Sequence, residues 1–251
     1  MDIDKIIKFI KDVVEEAKAK GVVIGLSGGI DSSTTAFLCV KALGKDRVLG
    51  IIMPERDTKK EDIEHAKKVA EMLEIKYIIA DITDVLKAFG AGGYVPTKEF
   101  DKIADGNLKA RVRMCILYYY ANKYNYLVVG TANKSECYVG YGTKYGDLGC
   151  DFMPIAHLFK TEVRELAKKL GVPEEIINKK PSAGLWEGQT DEEELGISYD
   201  ELDKILELYE SGKGINEIVE ELNISKEKVE HVFNLIEKNK HKREPPKKLE
   251  G

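Results

Sequence analysis

A turn between a strand and a helix, near the amino terminus, constrains the fold of this chain more than any other feature. The apolar run from Val22 to Leu26 leads into Ser27 to Ser33 (SGGIDSS), and an apolar stretch with helical spacing follows as far as Leu43. A buried strand that passes through a glycine-containing turn directly into a helix is the first half of a strand–helix–strand unit. The segment therefore predicts a parallel sheet with helical crossovers.

The same alternation of strand and helix continues along the first half of the chain. An amphipathic helix opens it, with apolar residues at helical spacing from Ile3 to Ala17. We therefore predict an α/β fold, a mostly parallel open sheet with helices on both faces. The later predicted elements are strands at Val48 to Met53, Lys76 to Ala80 and Leu127 to Gly130, a helix capped by Asp57 or Thr58 that extends through Leu73, and a helix from Leu108 to Tyr124.

Strand signals stop after Pro154, and helical patterns follow. Ser198 and Glu201 form a capping-box signature in this region. Since no linker rich in Pro or Ser separates the halves, we predict one domain, residues 1–251, with a core of about residues 20–180 and a helical C-terminal extension of about residues 181–251. The predicted helices are Thr161 to Leu170, Glu174 to Asn178, Tyr199 to Glu210, Asn216 to Leu222 and Lys226 to Lys240.

Composition excludes several classes of protein. Of the 251 residues 43% are hydrophobic, yet no apolar run approaches the roughly 18 residues of a membrane-spanning helix, and the start MDIDKIIKFIKD lacks a signal-peptide core. Cys39, Cys115, Cys137 and Cys150 are widely spaced, so we expect reduced thiols and no structural metal. A net charge of −5 argues against binding nucleic acid over the whole surface. We therefore expect a cytoplasmic protein with no membrane or nucleic-acid partner.

The segment SGGIDSS has the composition of an anion-binding turn. Glycines let backbone N–H groups approach an oxyanion, and hydroxyls and the positive end of the helix dipole complete a pocket for phosphate or pyrophosphate. Asp31 is placed to hold Mg²⁺ on a polyphosphate. The segment lacks the Lys of the GxxxxGK[ST] loop and the third Gly of the dinucleotide fingerprint, so neither γ-phosphoryl transfer nor hydride transfer is predicted.

A second carboxylate is expected at the same sheet edge. Gly130 and Thr131 end a predicted strand there, and Glu136 follows one short turn later. A solvated surface glutamate is the alternative reading of Glu136, and its position alone does not decide between the two.

SGGIDSS resembles the pyrophosphate loop of the N-type ATP pyrophosphatases, which cleave ATP between its α and β phosphates and adenylate an acceptor oxygen. Further segments, in the same order, resemble the ammonia-dependent NAD synthetase family over nearly the whole chain, which implies the adenine nucleotide alpha hydrolase-like fold. These segments are Gly106 to Met114 (GNLKARVRM), Gly130 to Glu136 (GTANKSE), Thr143 to Asp147 (TKYGD) with Asp151 and Pro154, Lys160 and Thr161, Pro181 to Trp186 (PSAGLW), Thr190 to Gly196 (TDEEELG) and His241 to Arg243 (HKR).

The resemblance implies roles for individual residues. Asp31 and Glu136 would hold Mg²⁺, and Asp31 and Lys160 would act in catalysis. The implied ATP contacts are Gly25, Leu26, Ser27, Gly28, Gly29, Ile30, Asp31, Ser32, Thr131, Lys160 and Ser182, the last at a position where many relatives carry Thr. The implied deamido-NAD contacts are Arg111, Lys144, Asp151, His241 and Lys242, so that the basic C-terminal tail would fold back over the site.

The activity that the resemblance implies is NAD synthesis from deamido-NAD, ATP and ammonia. The nicotinate carboxylate attacks the α-phosphorus of MgATP to give an acyl adenylate and pyrophosphate, and ammonia then releases AMP and NAD. Because the first predicted strand begins so early, we expect no amidotransferase domain before it, and the expected nitrogen source is free ammonia or ammonia passed from a separate partner. The loops Gly90 to Lys98 and Gly140 to Asp151 are expected to be lids. Relatives are homodimers, and the helices at 2–19 and 108–124 are apolar enough to pair.

Other functions remain open on the residues alone. Gly214 to Phe233 has the pattern of a helix-turn-helix, with its turn at Asn223 to Ser225, which would suit a DNA-binding regulator. Two glutamates offset Lys226 and Lys228 in its second helix, so it offers little charge to neutralise phosphates. A tRNA-modifying ATP pyrophosphatase is another alternative, although no paired cysteines or RNA-binding domain are evident, and a nucleotide sensor without turnover is a third.

Overall fold

Four parallel strands form one sheet in the computed structural model, which describes residues 2–91, 94 and 99–249. The strands are β1 (Gly21–Gly25), β2 (Val48–Ile52), β3 (Lys76–Ile79) and β4 (Tyr126–Val129), in the order β3-β2-β1-β4. Val22 of β1 pairs with Val48 on one side and with Leu127 on the other. The chain runs outward from β1 to β2 and β3 and then crosses back to β4 on the other side of β1. The carboxyl ends of β1 and β4 therefore flank a crevice of the kind in which open α/β sheets bind ligands.

The described residues contain twelve α-helices. The sequence pattern predicts nine of them and misses α4, α6 and α9, which span seven, six and five residues. The helices are α1 (Ile3–Glu16), α2 (Ile30–Leu43), α3 (Lys60–Met72), α4 (Thr83–Phe89), α5 (Lys102–Tyr124), α6 (Lys134–Val139), α7 (Lys160–Leu170), α8 (Glu174–Ile177), α9 (Asp191–Leu195), α10 (Tyr199–Glu210), α11 (Ile215–Leu222) and α12 (Lys226–Lys238).

Helices cover both faces of the sheet, which confirms the predicted fold class. Val22 and Ile24 of β1 belong to an apolar core shared with α1, α2, α3 and α7, whereas Val23 belongs to a core shared with α5. All three side chains are fully buried. Each such side chain contributes about 1.5–3 kcal/mol by leaving water, so both faces of β1 hold the central strand in place.

Helix α5 begins at Lys102, six residues before the predicted start at Leu108. The side chain of Asp101 caps it by accepting hydrogen bonds from two backbone N–H groups at 2.9 Å. Gly106 lowers the helix propensity of this first part, which conceals it in the sequence. A Cβ at position 106 would lie 3.3 Å from Cζ3 of Trp186, so the glycine allows a distant loop to pack closely against α5.

The predicted cap of α3 was wrong. The helix begins at Lys60, and neither Asp57 nor Thr58 is its cap. Thr58 Oγ1 instead accepts a hydrogen bond from the N–H of Glu55 at 2.9 Å, which closes a turn before the helix.

The C-terminal helices build a separate apolar core, to which α6 contributes Val139. Ser198 caps α10 as predicted: its Oγ accepts from the N–H of Glu201 at 3.3 Å and donates to Glu201 Oε2 at 3.1 Å. Helix α12 ends at Lys238, earlier than predicted, and residues 240–242 form a 3-10 turn. The C-terminal part is helical as expected, while the domain boundary near residue 180 stays a prediction. None of the described helices is long and apolar enough to cross a membrane.

Candidate active site

The turn Ser27 to Ser33 joins β1 to α2 at the carboxyl end of a central strand. Ser27 Oγ lies 3.0 Å from Ser32 Oγ and accepts a hydrogen bond from the N–H of Gly29 at 3.2 Å. The hydroxyl of Ser33 donates to the carbonyl of Gly29 at 2.8 Å. Hydroxyls and the first N–H groups of α2 are thus held together at one helix end, the arrangement of an anion-binding site.

Gly28 lets this turn approach α3 closely. Its φ of +74° lies in the left-handed region, and a Cβ there would lie 2.2 Å from the backbone oxygen of Asp62. Both the backbone conformation and the lack of space therefore require glycine at this position.

Asp31, Glu136 and Lys160 meet in one buried cluster. Lys160 is the first residue of α7, and its side chain is 2% exposed. Its ammonium is ion-paired with Asp31 of α2 and lies 3.5 Å from Glu136 Oε1 of α6. The structure thus brings together the three residues for which the sequence predicted catalytic or metal-binding roles.

Asn133 links the two carboxylates, and the sequence reasoning gave it no role. The residue is fully buried; its Nδ2 donates to Asp31 Oδ1 at 3.0 Å, and its Oδ1 accepts from the N–H of Glu136 at 3.0 Å. Its own N–H donates to Glu136 Oε2 at 3.2 Å, which completes a capping box on α6. An Asn followed three residues later by Glu after a strand is the signal that would have revealed it.

The surroundings of Glu136 and Lys160 shift the pKa values of both groups. Burial, together with the neighbouring Asp31 carboxylate, raises the pKa of Glu136 to about 8. Burial opposes the charge of Lys160, but Asp31 and Glu136 outweigh it and hold the pKa of Lys160 above its ordinary value. The two shifts are compatible because one ammonium cannot compensate two buried carboxylates, and Asp31 is the nearer of the two.

Tyr199 and Asp191 reach the cluster from the C-terminal helices. The hydroxyl of Tyr199 donates to Asp191 Oδ2 at 3.1 Å and lies 3.5 Å from Glu136 Oε1, and its ring centroid is 5.1 Å from Lys160 Nζ. Burial raises the pKa of Asp191. Asp191 lies in the segment Thr190 to Gly196, one of those that resemble the family, but nothing in the sequence pairs it with Tyr199.

The cluster suits a magnesium ion in its donor chemistry. Across the described residues, no three His, Cys, Asp or Glu side chains are grouped as ligands for a metal ion. Mg²⁺ does not require such a group, because it is usually held by one or two carboxylates together with phosphate oxygens and water. Asp31 and Glu136 supply two carboxylates beside the anion-binding turn, and when both are ionised their charge exceeds that of Lys160. These residues therefore fit Mg²⁺ bound together with a phosphate-bearing substrate.

A second group joins Arg111, Lys144 and His241. The guanidinium of Arg111 lies 3.3–3.4 Å from the carbonyl of Lys144, and Lys144 Nζ donates to the carbonyl of His241 at 2.5 Å. Lys242 Nζ donates to the carbonyls of Gly140 and Gly142 at 2.7 and 2.9 Å. These bonds attach the C-terminal turn to the loop that follows α6. They connect three of the predicted deamido-NAD contacts, Arg111 to Lys144 and Lys144 to His241.

Other predicted site residues lie apart from these two groups. Asp151 lies beside β4. Its Oδ2 accepts a hydrogen bond from the N–H of Val128 at 2.7 Å, and its Oδ1 accepts one from the hydroxyl of Tyr118 at 3.0 Å. Thr131 is half-buried after β4, and Ser182 is exposed in the loop between α8 and α9. Within the described part of the chain, no hydrogen bond or ion pair joins Asp151 or Ser182 to Lys160 or Arg111.

Of the two predicted lid loops, the structure describes one fully. Residues 92–93 and 95–98 of the first lie outside the described residues. In the second, Thr143 accounts for two contacts: its N–H donates to Asp147 Oδ1 at 2.8 Å, and its hydroxyl donates to Asn107 Oδ1 of α5 at 2.7 Å. This loop is thus packed against α5.

Two cavities differ in their relation to the site. A narrow cleft of about 30 Å³ lies at the carboxyl ends of β1 and β2, lined in part by Ser27, Met53 and Thr58. A wider cavity of about 370 Å³ lies near the start of β4, lined in part by Lys20 and Tyr126. We assign the ligand site to the first despite its size, because open α/β sheets bind ligands at the carboxyl ends of their strands.

The cysteines near the site are not activated. Burial raises the pKa of Cys137 to about 11 and that of Cys150 to about 12. Both thiols are therefore protonated at neutral pH, and nucleophilic catalysis by either is disfavoured.

Comparisons with known proteins agree with these features. The chain is 72% identical over 244 residues to the NH(3)-dependent NAD(+) synthetase of Methanocaldococcus jannaschii, covering 97% of this chain and 94% of the relative. It resembles the NMN synthetase from Francisella tularensis with 38% identity and a TM-score of 0.86, over 98% and 96% of the two chains. It also resembles the NH3-dependent NAD synthetase from Campylobacter jejuni, with 35% identity and a TM-score of 0.81, over 100% of both chains. Residues 2–246 match the family described as NAD synthase, and the chain belongs to that family.

Proposed function

We propose that this chain amidates deamido-NAD with ammonia and ATP, giving NAD, AMP and pyrophosphate through an adenylated intermediate, as the last step of NAD biosynthesis. The observation that carries the proposal is the cluster of Asp31, Glu136 and Lys160 beside the hydroxyl-rich turn at the end of β1. This cluster combines an anion site, two carboxylates and a buried cation, the groups that an ATP-cleaving ligase needs.

ATP binds at the turn Ser27 to Ser32, whose hydroxyls and N–H groups take the β and γ phosphates. Thr131 and Ser182 add hydroxyls to this site. Lys160 is held protonated by its carboxylate neighbours, and its ammonium stabilises negative charge that develops on the phosphates. Its burial strengthens this effect, because little water screens the charge.

Asp31 and Glu136 would hold Mg²⁺. When bound, the ion neutralises phosphate charge and orients the polyphosphate for in-line displacement. Asn133 fixes the carboxylate of Asp31 and the backbone of Glu136, so both ligands are oriented before ATP arrives.

Deamido-NAD binds across the group of Arg111, Lys144 and His241, with Lys242 next to His241. Asp151, which lies apart from this group beside β4, is a further contact. Cations there clamp the phosphates of the dinucleotide, and Asp151 accepts from a hydroxyl or amide. The nicotinate carboxylate attacks the α-phosphorus of ATP, and ammonia then attacks the resulting acyl adenylate. No protein side chain becomes covalently attached, so catalysis consists of positioning and charge stabilisation.

We further propose that the enzyme is a cytoplasmic homodimer. Aromatic side chains on α1 and α5 support the dimer: Phe9 is 42% exposed and Tyr119 is 61% exposed. Large exposed aromatic residues on these two helices favour an interface between two copies. All four cysteines are free, as expected in a reducing compartment.

The test is a mixture of purified protein, MgATP, deamido-NAD and ammonium chloride, analysed by chromatography for NAD, AMP and pyrophosphate. Asp31→Ala serves as the inactive control, and glutamine replaces ammonium in a parallel reaction. We expect NAD and AMP in equal amounts with ammonium and none with glutamine. Formation of AMP without NAD would exclude deamido-NAD as the substrate. Absence of AMP would favour a nucleotide sensor or a DNA-binding protein.

A parallel reaction with nicotinic acid mononucleotide tests substrate size, since one similar structure is an NMN synthetase. We expect the dinucleotide to be used with the higher kcat/KM. The opposite ratio would reassign the preferred substrate to the mononucleotide.

A further inference from the structure

A second buried ion pair lies outside the cluster of Asp31, Glu136 and Lys160. Lys109 of α5 and Glu55, in the segment after β2, have side chains 3% and 2% exposed, and Lys109 Nζ lies 3.1 Å from Glu55 Oε1. The reaction described above uses neither residue. Since two charges leave water at a high free-energy cost, a buried pair of this kind is held by further hydrogen bonds.

Those further bonds connect three loops. Lys109 Nζ also donates to the carbonyl of Leu185 at 2.7 Å, in the loop between α8 and α9. Glu55 Oε2 accepts from the N–H of Asp57 at 2.9 Å and from the hydroxyl of Tyr94, in the segment between α4 and α5. One ion pair thus ties together the segment after β2, Tyr94 and the loop at Leu185.

The loop between α8 and α9 is held at Leu185 and at Pro181, whose carbonyl accepts a hydrogen bond from the N–H of Asp191 at 3.0 Å. The N–H of Leu185 donates to Oε1 of the buried Gln189 at 2.7 Å, so both backbone polar groups of Leu185 are fixed. Ser182 and Gly184, earlier in the same loop, are exposed. The position of Ser182 is therefore set by the attachments on either side of it, at Pro181 and at Leu185.

The other end of the pair borders the cleft at the sheet edge. Glu55 follows Met53 and precedes Thr58, both of which line that cleft. Lys109 therefore joins the segment after β2, which lines this cleft, to the loop that carries Ser182. Lys179, at the start of that loop, is ion-paired with Asp62, which also lines the cleft.

We propose that Lys109 is a positioning residue for ATP binding: through the carbonyl of Leu185 it places Ser182 against the nucleotide, and Glu55 balances its charge. The inference rests on the proposed function, because Ser182 matters only if ATP binds there. Apolar side chains in place of Lys109 and Glu55 would stabilise the fold equally well. An ammonium bound to the carbonyl of Leu185 also fixes the direction of the loop.

Trp186, the only tryptophan in the chain, follows Leu185 and reports on this loop directly. The experiment measures its emission and acrylamide quenching in the ligand-free Lys109→Met protein. We expect a red shift and stronger quenching, because the loop loses its attachment. Lys168→Met is the matched control, since Lys168 forms an exposed ion pair with Glu165 at 2.9 Å, and it should leave the emission unchanged.

Steady-state kinetics on the same variants separate positioning from simple stabilisation. For Lys109→Met we expect the KM for ATP to rise about tenfold, the scale of one lost charged hydrogen bond, with kcat and the KM for deamido-NAD close to wild type. Should Lys109→Met not fold, Glu55→Gln/Lys109→Met removes the unpaired carboxylate and is measured in its place.

Wild-type emission and wild-type KM for ATP in a folded variant would overturn the proposal. So would a lower melting temperature and kcat with unchanged KM and emission, which would indicate a structural role alone. If the wild-type protein makes no NAD, the proposed function fails separately, because the fluorescence measurement needs no turnover.

Discussion

The ammonium of Lys160 is ion-paired with the carboxylate of Asp31, although the two residues lie 129 positions apart in the chain. The pair joins the first turn of α2 to the first residue of α7. Lys160 is therefore at once the cation of the proposed site and a tertiary contact between two helices on one face of the sheet.

We predict that Lys160→Met loses both activity and stability. Removing one partner of a buried ion pair destabilises a protein by about 3–5 kcal/mol, because the remaining carboxylates stay buried without a counter-charge. Denaturant unfolding should show this loss, and NAD formation should fall by about 10²-fold or more. Lys168→Met is the exposed control. A variant with normal stability and normal turnover would contradict both roles.

The stability of the ligand-free protein should depend on Glu136 through pH. Because burial raises the pKa of Glu136 from 4.5 to about 8, the folded state holds a proton that the unfolded state releases over this range. The free energy of unfolding should therefore decrease as pH rises from about 4.5 to about 8. In EDTA, Glu136→Gln should decrease less steeply than wild type, as measured by urea titrations at several pH values. Parallel curves for the two proteins would mean that Glu136 does not titrate in this range.

Gly28→Ala should disrupt the turn more than Gly44→Ala. Both glycines have positive φ, at +74° and +82°, but an added Cβ meets the backbone oxygen of Asp62 only in the first case and nothing within 4 Å in the second. Gly44→Ala should cost about 1–3 kcal/mol for the backbone conformation, because φ of +82° with ψ of 156° is a region that glycine alone adopts readily. Gly28→Ala should cost about 1–3 kcal/mol more for the overlap and weaken ATP binding. Thermal unfolding and calorimetry with ATP distinguish the two, and equal losses would argue against the close approach to α3.

Arg111→Met should affect one substrate selectively. Arg111 is exposed, and its contacts to the carbonyl of Lys144 are long, at 3.3–3.4 Å, so the melting temperature should not change. The KM for deamido-NAD should rise about tenfold, because a cation that clamps phosphate is lost, while the KM for ATP stays constant. Arg164→Met, on α7, is the control. A rise in the KM for ATP alone would move Arg111 to the other substrate.

The proposed dimer predicts that Tyr119→Glu is monomeric. A charge buried in an apolar interface is strongly unfavourable, so association should weaken without unfolding the subunit. Light scattering of wild type and variant at equal concentration measures the difference. A monomeric wild-type protein would rule out the dimer, and a dimeric variant would place the interface elsewhere.

The local patterns in the sequence predict the sheet and half of the site. The alternation of strand and helix and the turn SGGIDSS are encoded within short windows, so the strands, most helices and the position of Asp31 follow from periodicity and glycine placement. Lys160 and Glu136 were identified through the family resemblance. Their meeting with Asp31 depends on the packing of α6 and α7, which no window of sequence contains.

The residues that were missed act through tertiary contacts. Tyr199 belongs to the apolar face of α10 by its spacing, and only the packing of α10 on α6 and α7 brings its hydroxyl to Asp191 and Glu136. Lys109 was noted only as part of a motif, because the partners that bury its charge, Glu55 and Leu185, lie 54 and 76 positions away.

The backbone N–H of Thr161, next to Lys160, donates to Asp203 Oδ2 at 2.9 Å, and Ser135 donates to the other oxygen of the same carboxylate. The start of α7 is thus fixed by a residue of α10. Helix α10 is synthesised well after the four strands of the sheet. A nascent chain that ends before Asp203 contains the anion-binding turn. It lacks the contact that fixes the start of α7, where Lys160 lies. Long-range contacts of this kind form late in folding. The attachment of the start of α7 is therefore completed only after α10 has been synthesised.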